Sequence, residues 1–326
     1  MSALAFTLIA LLLVGPVPAL LSRASWPLRA PRAAVVLWQA IAVAAVLSAF
    51  SAGIAIASRL LVPGPDGRPT ATIASEIRAI GYPLWLLYVA VLALTLLIGA
   101  RLVSAVVRVA VATRRRRAHH RMLVDLLGMS RPPIVAQSCS LEAQGRRHPA
   151  HSSDLRVLDV SEPLAYCLPG VRSRVVVSEG TLTELSEREI TAILTHERAH
   201  LRARHDLVLE AFTAVHAAFP RFVRSASALD AVRLLIELLA DDAAVRAAGP
   251  APLARALVAC ASGRTPSGAL AAGGPTTVLR VRRLAGRGNS LPLSVATYLA
   301  AAAVLVLPTV ALAVPWLTEL HRLLAS

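Results

Sequence analysis

Four stretches of the chain run without a charged residue for long enough to cross a bilayer. Residues 1–21 precede the first arginine, Arg23. Residues 33–58 end before Arg59, residues 81–100 before Arg101, and residues 291–318 before Glu319. A bilayer span needs about 20 apolar residues, so each stretch is expected to be a transmembrane helix. Buried core helices are the alternative, and uncharged runs of this length weigh against them. Nothing basic precedes the first run, whereas a secretory signal begins with a positive region. An uncleaved span with its N-terminus outside is therefore expected.

Between the third and fourth runs the pattern changes. Short strand-like segments stand at residues 133–136, 155–160 and 164–168 and at Arg174–Ser178, with turns at Pro169-Gly170 and Glu179-Gly180. The pattern then turns helical. Ser186 and Glu189 have the spacing of a capping box, in which hydroxyl and carboxylate satisfy each other's free backbone N–H. Ile190, Ile193, Leu194 and Leu201 continue as a helical stripe. A second helix is expected over about 207–219 and a third over about 227–248, stopping before Gly249-Pro250. Residues 261–277, rich in Gly, Ser and Pro, read as a loop or linker. Arg174–Ser178, lying just before the first of these helices, is expected to be an edge strand able to pair with an extended peptide.

Charge orients the spans. The chain has 34 basic and 19 acidic residues, a formal net charge of +15, and every basic residue is arginine. Hydrophobic residues make up 56% and charged ones 16%. About 25% charge is usual in a soluble domain, so an ordinary soluble enzyme is disfavoured and a disordered or collagen-like chain excluded. Arg101, Arg108, Arg114, Arg115, Arg116, Arg117 and Arg121 follow the third span, and Arg280, Arg282, Arg283 and Arg287 precede the fourth. Arginine-rich loops stay on the cytoplasmic side. The expectation is an α-helical membrane protein with four transmembrane helices, N-terminus and C-terminus outside. Residues 1–111 hold three spans, 112–288 a cytoplasmic α+β domain, and 289–326 the last span and a short external tail. Topology accounts for most of the basic excess, so no nucleic acid partner is expected. The 114–117 run suits anionic membrane lipids instead. Cys139, Cys167 and Cys260 lack metal-site or disulfide spacing and read as buried thiols.

The first helix carries His196-Glu197-Arg198-Ala199-His200. Residues four apart share a helix face, so two imidazoles at this spacing can grip one Zn2+ ion, with Glu197 beside it to take a proton from water. The plain alternative is a solvated polar helix face. Catalytic zinc needs a third protein ligand and an open position. Glu237 is the candidate, a lone acid in Leu234-Leu235-Ile236-Glu237-Leu238-Leu239; burying it without a partner would be costly. Asp241 stands one turn on, suited to support a ligand from behind. Asp206, ten residues after His196, could accept the second N–H of a ligand imidazole and fix its tautomer. His205 reads equally as an oxyanion stabiliser or an exposed helix-end residue. His216 reads as a core residue, and His119, His120, His148 and His151 as solvated, as does Asp242.

These residues resemble the gluzincin membrane proteases: His-Glu-x-x-His, an Asp after the second His, then Glu-x-x-x-Asp at Glu237 and Asp241. Three spans before this segment and one after it, together with Arg280-Val281-Arg282-Arg283-Leu284 before the last span, are similar to the BlaR/MecR type of antirepressor metallopeptidase. The resemblance implies a gluzincin-type zinc protease domain at a bacterial cell membrane, with His196, His200 and Glu237 as zinc ligands and Glu197 as base. It implies regulated cleavage of a cytoplasmic protein, typically a small winged-helix repressor. β-Lactam sensors of that type carry a large extracellular domain after the fourth span. Here residues 319–326 follow it, so that stimulus is not carried over. A housekeeping membrane protease of the heat-shock or CAAX kind, or a non-catalytic membrane sensor, are the competing readings.

Overall fold

The computed structural model describes residues 2–57, 73–128, 155–170, 173–219, 226–262, 270–271, 276–286 and 288–325. The strand expected at 133–136 lies outside them. The chain runs through α1 (Ser2–Val14), α2 (Pro16–Arg23), a 3-10 turn (Trp26–Arg29), α3 (Pro31–Ala57), α4 (Ile73–Ile80) and α5 (Tyr82–Leu127). Next come β1 (Leu155–Leu158), β2 (Ala165–Leu168), β3 (Arg174–Ser178), α6 (Glu179–Glu184), α7 (Glu187–Ala203), α8 (His205–Ala218), α9 (Ala226–Ala248) and α10 (Pro250–Ala259). The last are β4 (Leu270–Ala271), α11 (Thr277–Leu284) and α12 (Leu291–Ala325).

Among the described residues, Leu4–Arg23, Pro31–Ala57, Tyr82–Leu127 and Leu291–Ala311 are long and apolar enough to cross a membrane. They coincide with the four uncharged runs. The helix α3 lies at the centre of this group and packs on α1, α5 and α12. Leu37, Ala40, Ile41, Ala44 and Ala45 of α3 meet Leu13 of α1 and Ala301 of α12. The start of the same helix packs the other way: Ala34, Val35 and Trp38 bury against Val232, Leu235, Ile236 and Leu238 of α9. The helix that bears Glu237 is thus docked directly onto the apolar bundle.

The third run was expected to stop at residue 100, yet α5 continues to Leu127. The reason is local: residues 100–127 contain neither Gly nor Pro, and arginine is a good helix former. Gly128 stands at the end. At 1.5 Å per residue the helix is about 70 Å long, whereas a bilayer core is about 30 Å thick.

The strands form one sheet in the order β1-β3-β2-β4. β3 pairs parallel with β1 and antiparallel with β2. It is therefore central, and the expectation of a peptide-pairing edge at Arg174–Ser178 is corrected. Its apolar run explains this: Val175, Val176 and Val177 are all buried, which suits a strand covered on both faces. Val175, Val177 and Ala165 face the cluster with Ile190, Ile193 and Leu194 of α7. Val176, Tyr166 and Leu168 face Val124 of α5. Within the stretch read as a loop, Leu270 and Ala271 form β4 and pair with Cys167 and Tyr166 of β2. A two-residue strand in a Gly- and Ser-rich stretch carries no periodicity that could announce it.

At the exit of β3 the packing leaves no room for a side chain. A Cβ on Gly180 would lie 2.0 Å from the Ser161 carbonyl oxygen, a backbone atom that cannot rotate away. We expect Gly180→Ala to destabilise the fold by about 1–3 kcal/mol, seen as a lower Tm in detergent. An unchanged Tm would contradict this packing.

Candidate metal centre

The capping box forms at Ser186, whose N–H donates to Glu189 Oε2 at 2.8 Å. It starts α7 in the register that turns Ile190, Ile193 and Leu194 into the core. In that register His196, Glu197 and His200 are fully buried. Glu237 approaches from α9, half-buried, and closes the group.

The donor atoms converge. His196 Nε2 and His200 Nε2 are 3.2 Å apart. His196 Nε2 lies 3.4 Å from Glu237 Oε2, and His200 Nε2 lies 3.6 Å from Glu237 Oε1. A tetrahedral zinc with ligand distances near 2.0–2.1 Å separates its ligand atoms by roughly 3.3 Å, so the triangle has the size of one face of such a site. Behind it, His196 Nδ1 lies 3.0 Å from Asp241 Oδ1, and His200 Nδ1 lies 3.1 Å from His205 Nδ1. With the Nδ1 atoms directed at Asp241 and His205, the Nε2 atoms turn toward one another and toward a carboxylate, an arrangement that suits a cation between them.

Electrostatics agree. Burial works against a proton on His196, but Asp241 and Glu237 outweigh it and raise the imidazole to about 9. The carboxylates thus demand positive charge at this point, and a divalent cation supplies it. Burial pushes His200 down to about 3 and His205 down to about 4, keeping both neutral, as a ligand and its partner must be. Burial would raise Glu237, yet His200, His196 and Arg280 hold it below the usual range. Glu197 is the exception. Burial pushes it up to about 7, against which the charge of His196, the neighbouring Cys167 thiol and the charge of Arg280 act only in part. A buried carboxylate with a pKa near neutrality has the properties of a general base. The donor set therefore fits zinc.

Four expected roles move. Asp206 does not hold an imidazole: its Oδ2 accepts from Arg117 Nη1 of α5 at 3.0 Å. The cause is the joint after α7, where Arg204 takes the left-handed conformation with φ 52° and ψ 42°. The chain then restarts as α8, with His205 turned back to His200 and Asp206 turned toward α5. Asp242 is not solvated but accepts from Arg283 Nη1 at 2.7 Å and from Asn289 Nδ2 at 2.8 Å. Similarly, His120 Nε2 lies 3.0 Å from the buried Tyr166 hydroxyl. Arg117 pairs with Asp206 and stands 3.8 Å from Glu210, so it leaves the group of arginines available to lipid. Cys167 and Cys260 are buried free thiols.

One residue at the centre was read as a topology signal and as part of a resemblance, with no role at the metal site. Arg280 of α11 is 1% exposed. Its Nε donates to Asp241 Oδ2 at 2.8 Å, its Nη2 to Asp241 Oδ1, and its Nη1 lies 3.1 Å from Glu237 Oε2. A signal was present in the sequence. Arg280 shares a helical stripe with Thr277, Val281 and Leu284, the face that packs inward.

Removing either side of this arrangement should separate binding from chemistry. Glu197→Gln should retain one zinc per chain by elemental analysis and lose peptide cleavage at least a hundredfold. His200→Ala should lose both zinc and cleavage. Equal activity of Glu197→Gln and the wild type would remove Glu197 from the reaction.

Comparison with known proteins agrees with the donor set. Residues 137–288, a little under half of the chain, match the family model described as Peptidase family M48. A search of curated proteins and a search of solved structures each gave no match. The match is to M48 as a whole and does not single out the BlaR/MecR type. The segment that builds the metal centre is thus similar to the zinc-dependent metallopeptidases of family M48.

Proposed function

We propose that the protein is an integral-membrane zinc endopeptidase that cleaves a cytoplasmic protein, a transcriptional repressor, in signal transduction. The observation that carries the enzymatic part is the convergence of His196, His200 and Glu237 beside a fully buried Glu197. His196, His200 and Glu237 would hold the ion. Bound zinc supplies Lewis acidity, bringing water within reach of deprotonation near neutral pH and polarising a carbonyl. Glu197 takes the proton from that water and later delivers it to the leaving amine. Asp241 and His205 keep the two imidazoles oriented from behind.

Arginine placement supports the topology: N-terminus and C-terminus outside, four spans, and the peptidase segment at the cytoplasmic face of a bacterial cell membrane. Signalling is supported by α5. This single helix runs from the apolar bundle to both flanks of the centre. Arg101 Nε donates to the Ala218 carbonyl at the far end of α8, and Arg117 grips Asp206 at its near end. His120 meets Tyr166 of β2, the neighbour of Cys167, whose thiol is raised first by burial and then by the charge of Glu197. A displacement of α5 across the membrane would therefore reach the His205–His200 side and the Glu197 side together.

The test is a survey of newly formed N-termini in cells carrying wild-type or Glu197→Gln protein. We expect wild-type cells alone to show cleavage within a DNA-binding repressor. Cleavage spread over many misfolded membrane proteins would favour a housekeeping protease. Identical profiles would leave a non-catalytic sensor.

A further inference from the structure

Among the described residues, Arg280 is the guanidinium that touches two different parts of the centre. Three of its nitrogens face carboxylates, two on Asp241 and one on Glu237. Asp241 in turn lies against His196 Nδ1 at 3.0 Å. We infer that Arg280 is a positioning residue for the metal centre, fixing the Glu237 ligand directly and the His196 ligand through Asp241. The inference rests on reading His196, His200 and Glu237 as metal ligands.

A cation beside a metal site raises a question of sign, because its charge repels the ion. Asp241 settles it. The bidentate pair with Asp241 already cancels the guanidinium charge, so losing Arg280 would give the ion little relief. The loss would leave a fully buried carboxylate without its main partner. Without the fork that holds both of its oxygens such a group turns away, and that movement releases His196. Glu237 would simultaneously lose its contact on Oε2. Orientation therefore outweighs repulsion, and the net effect of Arg280 is to strengthen metal binding.

The plain alternative is that Arg280 merely docks α11. The same helix offers the control. Arg283 donates to Asp242, Asn289 and the Leu28 carbonyl, so it ties α11 to α9 and to the 3-10 turn at Trp26–Arg29. It reaches none of His196, His200 or Glu237 through any of these contacts. A docking role predicts equal consequences for the two arginines, whereas a positioning role predicts different ones.

The experiment uses the full-length protein in detergent and measures zinc affinity by competition with a chromophoric chelator, alongside circular dichroism and Tm. Arg280→Met should weaken zinc binding by about 10- to 100-fold, the usual cost of losing a group that orients a metal ligand. Arg280→Lys keeps the charge but cannot make the forked contact and should fall in between; it carries the test if Arg280→Met does not fold. Arg283→Met should lower Tm and leave zinc affinity within about twofold of wild type, well below the 10-fold threshold for an orienting group. Wild-type affinity in both folded Arg280 variants, or equal losses in Arg280→Met and Arg283→Met, would overturn the inference. A wild-type protein that binds no zinc would instead overturn the metal reading itself.

Discussion

Buried charge governs this structure. Glu197, Glu237 and Asp241 converge on a small volume with two imidazoles and a single guanidinium. Among the described residues, three carboxylates against one fixed cation leave an excess of negative charge in a largely buried region. Isolated buried carboxylates are too costly to persist, so the arrangement is stable only if further positive charge enters. A proton raised onto His196 meets part of that need, and a divalent ion meets it in full. The same setting explains why Glu197 has a pKa near neutrality. Burial is the main cause, and the charge of Glu237 adds to it.

Much of the fold was legible in the sequence because its signals are local. Uncharged runs marked the apolar helices, the Ser186–Glu189 pair marked the start of α7, and His196 and His200 shared a face by spacing alone. Glu237 was recognisable as an acid in an apolar run, which is an energetic anomaly visible without coordinates. What escaped depended on contacts between distant segments. The central position of β3 depends on β1 and β2 together, and β4 exists only because β2 had an open edge. The role expected of Asp206 passed to His205 because Arg204 adopts a left-handed turn, a conformation more usual for glycine. Arginines were the hardest to read. Arg117 and Arg280 counted as topology markers, and the same charge that orients a chain also fills a buried pocket.

The centre is gripped from two sides by elements continuous with the apolar helices. On one side α5 leaves the bundle as an unbroken rod and reaches Asp206 and Tyr166. On the other, α9 packs its apolar face on α3 while presenting Glu237 and Asp241 inward. Side chains on one helix turn thus serve both the membrane bundle and the metal site. Rigid coupling of this kind lets a small rearrangement among packed helices alter ligand geometry without unfolding anything.

The place of Arg280 in the chain has a consequence for biosynthesis. The helix bearing His196 and His200 leaves the ribosome long before α11, and Asp241 precedes its guanidinium by 39 residues. A nascent chain that has made both imidazoles and Glu237 still lacks the group that neutralises Asp241. Completion of this buried cluster therefore coincides with synthesis of the segment leading into the last apolar helix. A product that ends before residue 280 carries His196, His200 and Glu237 without the guanidinium that holds Asp241 and Glu237 in place.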